Sequence, residues 1–300
     1  MTTPTQVRYR DRRTGEIRLE QIPAERALRW LYETALGSRC RSAVFGHRLI
    51  SYLVGWTQNR AWSRRRIGPF AAAYGIDPGE VELPLDKYPS FNAFFSRRLR
   101  PGARPFSGDP RALCSPADGK VLVFPRLTGE VRMPVKGAMV EPSALLAAPA
   151  EGIEYRDGAC LVVRLSPPDY HRFHFPAAGI TGPARSISGR YHSVNPVALA
   201  RVPGLLSGNA RAVTRLATEV FGPIACVEVG AFAVGSIVQT YAPGRVTRGQ
   251  EKGYFQFGGS TLVLLFRPGA VQFDDDLRAD SAAGLETQVR TGTRLGWAGS

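Results

Sequence analysis

The sequence predicts an α+β fold in which N-terminal amphipathic helices pack on a β-rich domain of sandwich or barrel type. Apolar residues recur at helical spacing over 24–62, whereas short β-branched runs alternate with Gly and Pro from about Leu113 onward. An apolar fraction of 44% over 300 residues is enough for a packed core. We expect a polar N-terminal extension over 1–25, a basic helical segment over 26–86 and a β-rich domain over 87–300.

The first 25 residues are polar and mix Arg with Asp and Glu. They lack the apolar core of a secretory signal, and a mitochondrial presequence would carry few acidic residues, so we expect no export. Charged residues also interrupt each apolar run before it reaches the roughly 18 residues that span a bilayer. The sequence therefore predicts a cytoplasmic location without a membrane-spanning segment.

The net charge of +14 is concentrated in the predicted helical segment. Nine arginines and a single acidic residue, Glu33, lie between Arg26 and Arg66. Such an excess indicates an anionic partner, either nucleic acid or an acidic membrane surface. No recognised nucleic-acid motif accompanies the charge, so we expect no nucleic-acid partner.

Helical spacing is clearest over 24–36 and 42–62. The first stretch repeats Leu and Ala at helical intervals, and the second carries Trp56 and Trp62 among aliphatic residues. Basic amphipathic helices that bear Trp suit the headgroup layer of a membrane. The same pattern is also typical of helices that simply pack on the protein core.

Shorter elements follow, delimited by turn residues. Ser90 resembles a helix N-cap before an aromatic stretch, and Pro101 prevents that helix from continuing. Asn195 and Pro196 resemble the cap and the first position of another short helix. Strands are predicted at 121–124, 160–165, 224–229, 231–241 and 261–266.

The cysteines and histidines do not indicate a metal site. No Cys-x-x-Cys pair occurs, which argues against both a disulfide framework and a zinc site. We expect reduced, mostly buried thiols at Cys40, Cys114, Cys160 and Cys226. His171 and His174 form a His-x-x-His pair without an acidic or Cys third ligand nearby in sequence. General-base chemistry is the better use of an imidazole that titrates near neutrality.

The stretch with the most chemical potential is a strand-like run interrupted by Gly258, Gly259 and Ser260. The glycines leave the Gly259 carbonyl unshielded beside the Ser260 hydroxyl, which could attack it if a base took its proton. Asp118, in an Asp-Gly turn, and His174 would complete a set of orienter, base and nucleophile. Each motif alone also fits an ordinary turn, and the Gly-x-Ser-x-Gly elbow of the α/β-hydrolases is absent.

Together these motifs resemble the phosphatidylserine decarboxylases. The resemblance extends, with gaps, from about Tyr88 to the C-terminus, and the motifs occur in the family's order. They are Pro116-Ala117-Asp118-Gly119, Asp169-Tyr170-His171-Arg172-Phe173-His174-Phe175-Pro176, Val194-Asn195-Pro196, Val229-Gly230-Ala231 with Val234-Gly235-Ser236-Ile237, and Lys252-Gly253 leading to Gly258-Gly259-Ser260-Thr261. Some members have Leu in place of Gly258, which lies outside the bond that would be cut. Residues 136–141 match only loosely, which leaves the contacts to a lipid headgroup open.

The resemblance implies self-cleavage between Gly259 and Ser260, into a β chain of residues 1–259 and an α chain of residues 260–300. Ser260 would attack the Gly259 carbonyl to give an ester, and elimination and hydrolysis would then leave a pyruvoyl group. The resemblance assigns His174 to the base that activates Ser260 and Asp118 to holding its imidazole. It assigns His171 to the later decarboxylation. No metal is implied.

The implied reaction converts phosphatidylserine to phosphatidylethanolamine and carbon dioxide in phospholipid biosynthesis. The pyruvoyl ketone would form a Schiff base with the substrate amine and act as the electron sink, as pyridoxal phosphate does. Because the substrate is an anionic lipid, the resemblance implies a peripheral protein on the cytoplasmic face of the membrane. The cleaved chains should stay associated, and family members often form homodimers.

Two other interpretations stay open at this point. A pyruvoyl enzyme that acts on a soluble amino acid would not need the basic amphipathic N-terminus. A non-catalytic protein that binds membranes or nucleic acid would use the positive charge alone. An uncleaved and inactive protein would favour the second interpretation.

Overall fold

The computed structural model of the chain describes residues 7–22, 24–46, 48–127, 131–132, 139–231, 237–258 and 260–299. The α-helices are α1 (Glu25–Glu33), α2 (Ala35–Gly46), α3 (Arg48–Gln58), α4 (Ile67–Ala73), α5 (Phe91–Phe95), α6 (Pro142–Leu146), α7 (Pro149–Ile153), α8 (Pro196–Leu199), α9 (Leu205–Gly208) and α10 (Asp275–Ala282). Short 3-10 helices lie at Ala61–Arg66 and Leu85–Lys87.

The strands are β1 (Arg8–Asp11), β2 (Ile17–Leu19), β3 (Ala112–Cys114), β4 (Gly119–Phe124), β5 (Val131–Arg132), β6 (Met139–Val140), β7 (Ala159–Leu165), β8 (Arg172–His174), β9 (Gly179–Thr181), β10 (Arg185–Ile187), β11 (Arg211–Thr218), β12 (Gly222–Gly230), β13 (Ile237–Gln239), β14 (Gly244–Val246), β15 (Glu251–Phe255), β16 (Ser260–Phe266), β17 (Val271–Phe273), β18 (Glu286–Val289) and β19 (Arg294–Ala298). The largest sheet has the order β14-β9-β11-β12-β16-β7-β4-β18-β1-β2, with β10 beside β11. Smaller sheets have the orders β13-β15-β8, β17-β19-β3 and β5-β6.

The predicted α+β class is confirmed, and the large sheet is open. It ends at β14 on one side and at β2 on the other, and these two strands do not pair in the described part of the chain. Closure into a barrel would require that pairing. The barrel-like form that we allowed for is therefore corrected to an open mixed sheet.

The centre of the sheet consists of four strands predicted from apolar runs. The runs at 121–124, 160–165, 224–229 and 261–266 fall in β4, β7, β12 and β16, which are neighbours in the order β12-β16-β7-β4. Every residue of β4, β7 and β16 is buried, as expected for strands covered on both faces. Of the predicted strand at 231–241, only β13 is seen, because residues 232–236 lie outside the described residues.

Residues 8–19 of the polar N-terminal segment contribute two strands at one edge of the large sheet. β1 pairs in parallel with β18 and antiparallel with β2. Just after β2, the buried Glu20 carboxylate pairs with Arg164 of β7 at 2.7 Å. Arg164 also pairs with Glu286 of β18, at 2.5 Å. The charged residues of this segment favoured the prediction of a separate extension. One of them, Glu20, instead helps to hold the segment against the sheet.

The helix predicted over 24–36 is divided at Thr34. This residue has extended backbone angles, and its hydroxyl accepts a hydrogen bond from the Gly37 N–H at 3.0 Å, which caps the start of α2. A Cβ on Gly37 would lie 2.0 Å from the Trp30 carbonyl oxygen, so the close turn requires glycine. The helix predicted over 42–62 appears as the end of α2, α3 and the following 3-10 helix.

Both predicted helix caps are confirmed. Ser90 Oγ accepts a hydrogen bond from the Ala93 N–H at 3.2 Å, and Asn195 Oδ1 accepts one from the Ala198 N–H at 2.9 Å. Helix α5 ends at Phe95, before Pro101 is reached. The cysteines are free thiols, buried at 114, 160 and 226 and partly exposed at Cys40, in agreement with the prediction.

Candidate active site

Ser260 lies at the N-terminal end of β16, in the centre of the large sheet. Strand pairing places it opposite Leu165 on one side and Gly230 on the other, and its side chain is fully buried. Gly258 has a φ of 142°, a backbone conformation that favours glycine. Gly259 lies outside the described residues, so the predicted cleavage bond is not itself described.

The Ser260 hydroxyl contacts His171. Its Oγ lies 3.3 Å from Nδ1 of the imidazole, and Nε2 on the other side of the ring lies 3.0 Å from the Ser166 carbonyl oxygen. Because a carbonyl oxygen can only accept a hydrogen bond, Nε2 carries a proton and donates a hydrogen bond to the Ser166 carbonyl. Nδ1 is therefore unprotonated and accepts from the Ser260 hydroxyl. The ring also stacks on Phe95, with centroids 3.9 Å apart.

The surroundings of His171 keep it neutral. Its side chain is fully buried. Burial, together with the positive charge of Arg97, lowers the pKa of His171 to about 3. At neutral pH the imidazole is thus an uncharged base that faces a serine hydroxyl, the arrangement needed to activate a serine nucleophile.

His174 lies at the end of β8 and makes different contacts. Its backbone N–H donates to the Pro116 carbonyl at 2.8 Å, and its ring packs near Tyr170 and Phe106. Nδ1 of His174 is buried and has no hydrogen-bond partner in the described part of the chain. The structure therefore brings His171, and not His174, into hydrogen-bond contact with Ser260.

Asp118 is held by partners other than the histidines. Its carboxylate accepts hydrogen bonds from Arg104 Nε and Nη2, the latter at 2.7 Å, and from both the N–H and the hydroxyl of Thr291 at 2.7 Å. These partners hold the pKa of the Asp118 carboxyl below its usual range, although burial alone would raise it. Burial lowers the pKa of both His171 and His174, and the negative charge of Asp118 opposes this lowering in each, so Asp118 acts on both histidines.

The geometry of β8 explains why the two histidines differ. Residues 172–174 form a strand, and His171 continues it, because its carbonyl accepts a hydrogen bond from the Phe255 N–H of β15 at 2.9 Å. Side chains three residues apart in an extended segment point to opposite sides. Spacing alone left open which conformation the pair adopts, and the extended one is found.

Helix α5 supports the approach to Ser260. Asn92 Oδ1 accepts a hydrogen bond from the Phe257 N–H at 2.7 Å. The Phe257 ring packs against Phe91 and Phe95, with centroids 5.4 Å and 5.2 Å apart. One short helix thus contacts the chain before Ser260 and also stacks on His171.

Several side chains at the site were not predicted. Phe95 had a signal, since it belongs to the aromatic stretch that follows the Ser90 cap. Arg104 and Thr291 lie outside any recognisable motif, and only the folded chain brings them to Asp118. Within the described residues there is no group of His, Cys, Asp and Glu that could hold a metal ion. In the same part of the chain no helix is both long and apolar enough to cross a membrane.

The fold and the site together define an enzyme with a serine–histidine pair buried at the end of a central strand. A family model for phosphatidylserine decarboxylase matches residues 91–296. This range contains Ser260, both histidines and Asp118. The chain belongs to the phosphatidylserine decarboxylase family.

Full-length relatives agree with this family. The phosphatidylserine decarboxylase proenzyme of Desulfitobacterium hafniense (strain Y51) is 40% identical over 291 residues, which cover 97% of this chain and 98% of the relative. The proenzyme of the same name from Chlamydia muridarum is 42% identical over 289 residues, 96% of each chain. That of Ruminiclostridium cellulolyticum is 39% identical over 287 residues, 95% of this chain and 96% of the relative.

Proposed function

We propose that this chain cuts itself between Gly259 and Ser260 and then converts phosphatidylserine to phosphatidylethanolamine and carbon dioxide. The observation that carries the proposal is the 3.3 Å contact between Ser260 Oγ and the unprotonated Nδ1 of the neutral His171. Membership of a family whose relatives are named proenzymes supports the same chemistry.

Self-cleavage needs only groups of the chain. A base takes the Ser260 proton as Oγ attacks the Gly259 carbonyl carbon, and the peptide C–N bond breaks to leave an ester on Oγ. Loss of the Cα proton of Ser260 then expels the Gly259 carboxylate and leaves dehydroalanine. Water releases its nitrogen as ammonia, and a ketone remains at position 260. Each of these steps involves Ser260, whose Oγ lies 3.3 Å from Nδ1 of His171.

The position of Ser260 fits a pyruvoyl group, because it is fully buried and faces a neutral imidazole. Such a group would supply the electron sink that decarboxylation requires. Nδ1 of His171 faces this position; being unprotonated, it would first accept a proton from the substrate ammonium and then return it to the carbon that loses carbon dioxide.

Asp118, His171, His174 and Ser260 are the proposed catalytic residues. The contacts support His171 as the neighbour of residue 260 both before and after cleavage. The part of His174 in self-cleavage rests on the family resemblance, and it requires a movement that brings its ring to Ser260. The same movement would have to bring it to Asp118, whose carboxylate Arg104 and Thr291 now occupy.

The exposed face of the N-terminal helices supports a peripheral membrane location, which we propose to be at the cytoplasmic face. Trp30 and Trp56 are each 44% exposed and Trp62 is 51% exposed, although large apolar side chains are usually buried. The Arg60 guanidinium lies 3.8 Å from the centre of the Trp56 ring. Tryptophan beside arginine suits an anionic lipid surface, where the ring enters the headgroup layer and the cation meets phosphate.

The experiment that tests the proposal is the intact mass of the denatured protein, measured for the wild type and for Ser260→Ala, His171→Ala and His174→Ala. We expect the wild type to give two fragments separated after Gly259, the smaller with 300 − 259 = 41 residues and a blocked N-terminus. Ser260→Ala should remain one chain. A wild type that stays uncleaved in the presence of phosphatidylserine vesicles would refute the proposal.

The two histidine variants separate the roles. If His174 is the base for cleavage, as the resemblance implies, His171→Ala is cut but loses most turnover and His174→Ala stays whole. If the contact in the structure is the reactive one, His171→Ala stays whole instead. Carbon dioxide release from phosphatidylserine, measured on the same samples, completes the assignment.

A further inference from the structure

Arg97 is a buried cation with unused hydrogen-bond donors. It follows helix α5 and is 4% exposed. Its Nη2 donates to the Pro168 carbonyl at 2.9 Å and lies 3.4 Å from the Asp169 carbonyl oxygen. Its Nε and Nη1 are also buried and have no hydrogen-bond partner among the described residues.

The acidic groups near Arg97 are engaged elsewhere. Asp118 accepts from Arg104 and Thr291, and Asp169 accepts from the Ser166 N–H at 2.6 Å and from Gln288 at 3.1 Å. Neither carboxylate is within ion-pair distance of Arg97 in the described part of the chain.

The ring of Phe94, 5.0 Å from the guanidinium carbon, offers Arg97 only partial compensation. The attraction of a cation to an aromatic ring is smaller than the cost of removing an ion from water. A buried guanidinium with two open donors is suited to bind an anion.

Arg97 lines a cavity together with Tyr170, the residue that precedes His171 in the chain. The cavity has a volume of about 560 Å³, and Asp118, Lys120, Asp169 and Tyr170 also line it. A volume of this size accommodates a small ligand or a lipid headgroup. The charge of Arg97 also contributes, after burial, to the low pKa of His171, so this cavity residue acts electrostatically on the imidazole that faces Ser260.

We infer that Arg97 binds the phosphodiester group of the lipid substrate, an inference that rests on the proposed function. In a phosphatidylserine headgroup one oxygen and one methylene separate phosphorus from the carbon that carries the amine. An amine that reacts at residue 260 therefore requires an anion site nearby. Arg97 meets this requirement, because it lies two residues beyond Phe95, whose ring stacks on the imidazole of His171.

The substrate carboxylate fits Arg97 less well than the phosphodiester does. Its charge disappears as carbon dioxide leaves, so a cation that bound it would stabilise the ground state more than the transition state. The phosphodiester keeps its charge throughout the reaction. Binding it stabilises ground state and transition state alike, which lowers KM and leaves kcat nearly unchanged.

The kinetic test compares Arg97→Gln and Arg97→Lys with Arg98→Gln, a neighbouring and exposed arginine that gives the same loss of charge. Intact mass first establishes that each variant is cleaved. With dihexanoyl phosphatidylserine as substrate, we expect Arg97→Gln to raise KM about tenfold or more with kcat within about threefold. Arg97→Lys should recover part of the loss, and Arg98→Gln should match the wild type. A fall in kcat at unchanged KM would overturn the inference.

A binding test does not depend on self-cleavage. Calorimetry on the full-length Ser260→Ala chain uses glycerophosphoethanolamine, which has the phosphodiester but no carboxylate, and ethanolamine, which has neither. We expect binding of glycerophosphoethanolamine alone, weakened about tenfold or more by adding Arg97→Gln. Equal binding with and without Arg97→Gln would refute the inference even if the wild type cleaves. Loss of binding in Arg97→Gln would support it even if the wild type does not.

Discussion

Ser166 determines which ring nitrogen of His171 carries the proton. Its carbonyl accepts from Nε2, and its hydroxyl both accepts from Lys120 Nζ at 2.9 Å and donates to Glu20 at 2.5 Å. Glu20 belongs to the N-terminal edge of the sheet. Polar contacts thus connect that edge, through Ser166, with the imidazole beside Ser260.

The low pKa of His171 predicts a loss of stability in acid. The pKa is about 3 in the folded chain against 6.5 for an ordinary imidazole, so between these pH values the unfolded chain binds more protons. The free energy of unfolding should therefore decrease as the pH falls from about 6.5 towards 3. We expect His171→Gln to show a shallower decrease over this window.

Urea unfolding at several pH values between 7 and 4 measures this effect. Both proteins should carry Ser260→Ala so that cleavage does not differ between them. The other titrating groups are common to both and cancel in the comparison. Parallel pH profiles for the two proteins would contradict a neutral, buried His171.

The site residues differ in how well the sequence could predict them. Ser260 and the histidine pair are visible as motifs, and the structure brings His171 to Ser260. The sequence does not show which histidine faces Ser260, because that depends on whether the chain is extended at β8. Asp118 can likewise be found in the sequence, because it belongs to an Asp-Gly turn. Its partner Arg104 cannot, because it lies in a loop without a sequence pattern and reaches Asp118 only in the folded chain.

Helix α5 contacts both the chain before Ser260 and the imidazole of His171. It is only five residues long, yet it holds the Phe257 N–H through Asn92 and stacks Phe95 on His171. Isolated helices of this length are unstable, so its cap and its packing must maintain it. The Ser90 cap and the Ser63 hydroxyl, which accepts from the Phe91 N–H at 2.9 Å, provide this support.

Two variants of this helix separate its stability from its contact with the cleavage loop. Asn92→Ala removes the partner of the Phe257 N–H and also a hydrogen bond to Asn59, so we expect a loss of about 1–3 kcal/mol and slower self-cleavage. Ser90→Ala removes only the cap, at about 1 kcal/mol, and should cleave at the normal rate. Unfolding midpoints and a time course of intact mass after synthesis measure both. If both variants slow cleavage equally, Asn92 has no specific part in it.

Elements were predictable where a local pattern determines them. The central strands follow from apolar runs, and α5 and α8 follow from their caps. The break at Thr34 was missed, although a Thr followed three residues later by Gly provides a cap and a close turn. β1 and β2 were missed because short, polar edge strands have no apolar run, and pairing with β18 forms them only in the folded chain.

At the scale of the whole molecule, charge and exposed aromatic residues lie in the same N-terminal region. The net charge of +14 includes the arginine-rich segment, and three of the four exposed tryptophans, Trp30, Trp56 and Trp62, belong to the same segment. Attraction between exposed charges is screened by salt, with a Debye length that falls from about 10 Å at 0.1 M to about 3 Å at 1 M. Burial of an apolar ring is not screened in this way.

We therefore expect binding to vesicles that contain anionic lipid to weaken about tenfold as NaCl rises from about 0.05 M to about 0.5 M. Co-sedimentation with phosphatidylglycerol vesicles measures it, with phosphatidylcholine vesicles as the control. Trp56→Ala should weaken binding at each salt concentration. Binding that does not change with salt would mean that insertion of apolar side chains dominates.

The position of Ser260 at the head of a central strand also has a consequence for refolding. Cleavage there would leave the α chain held by pairing of β16 with β7 and β12 on its two sides, so the folded protein would keep its shape. The unfolded protein would become two separate molecules, and its recovery would depend on their concentration. The uncut chain would need to fold only once, before cleavage. The cleaved enzyme would then owe its lifetime to a low rate of unfolding rather than to an ability to refold.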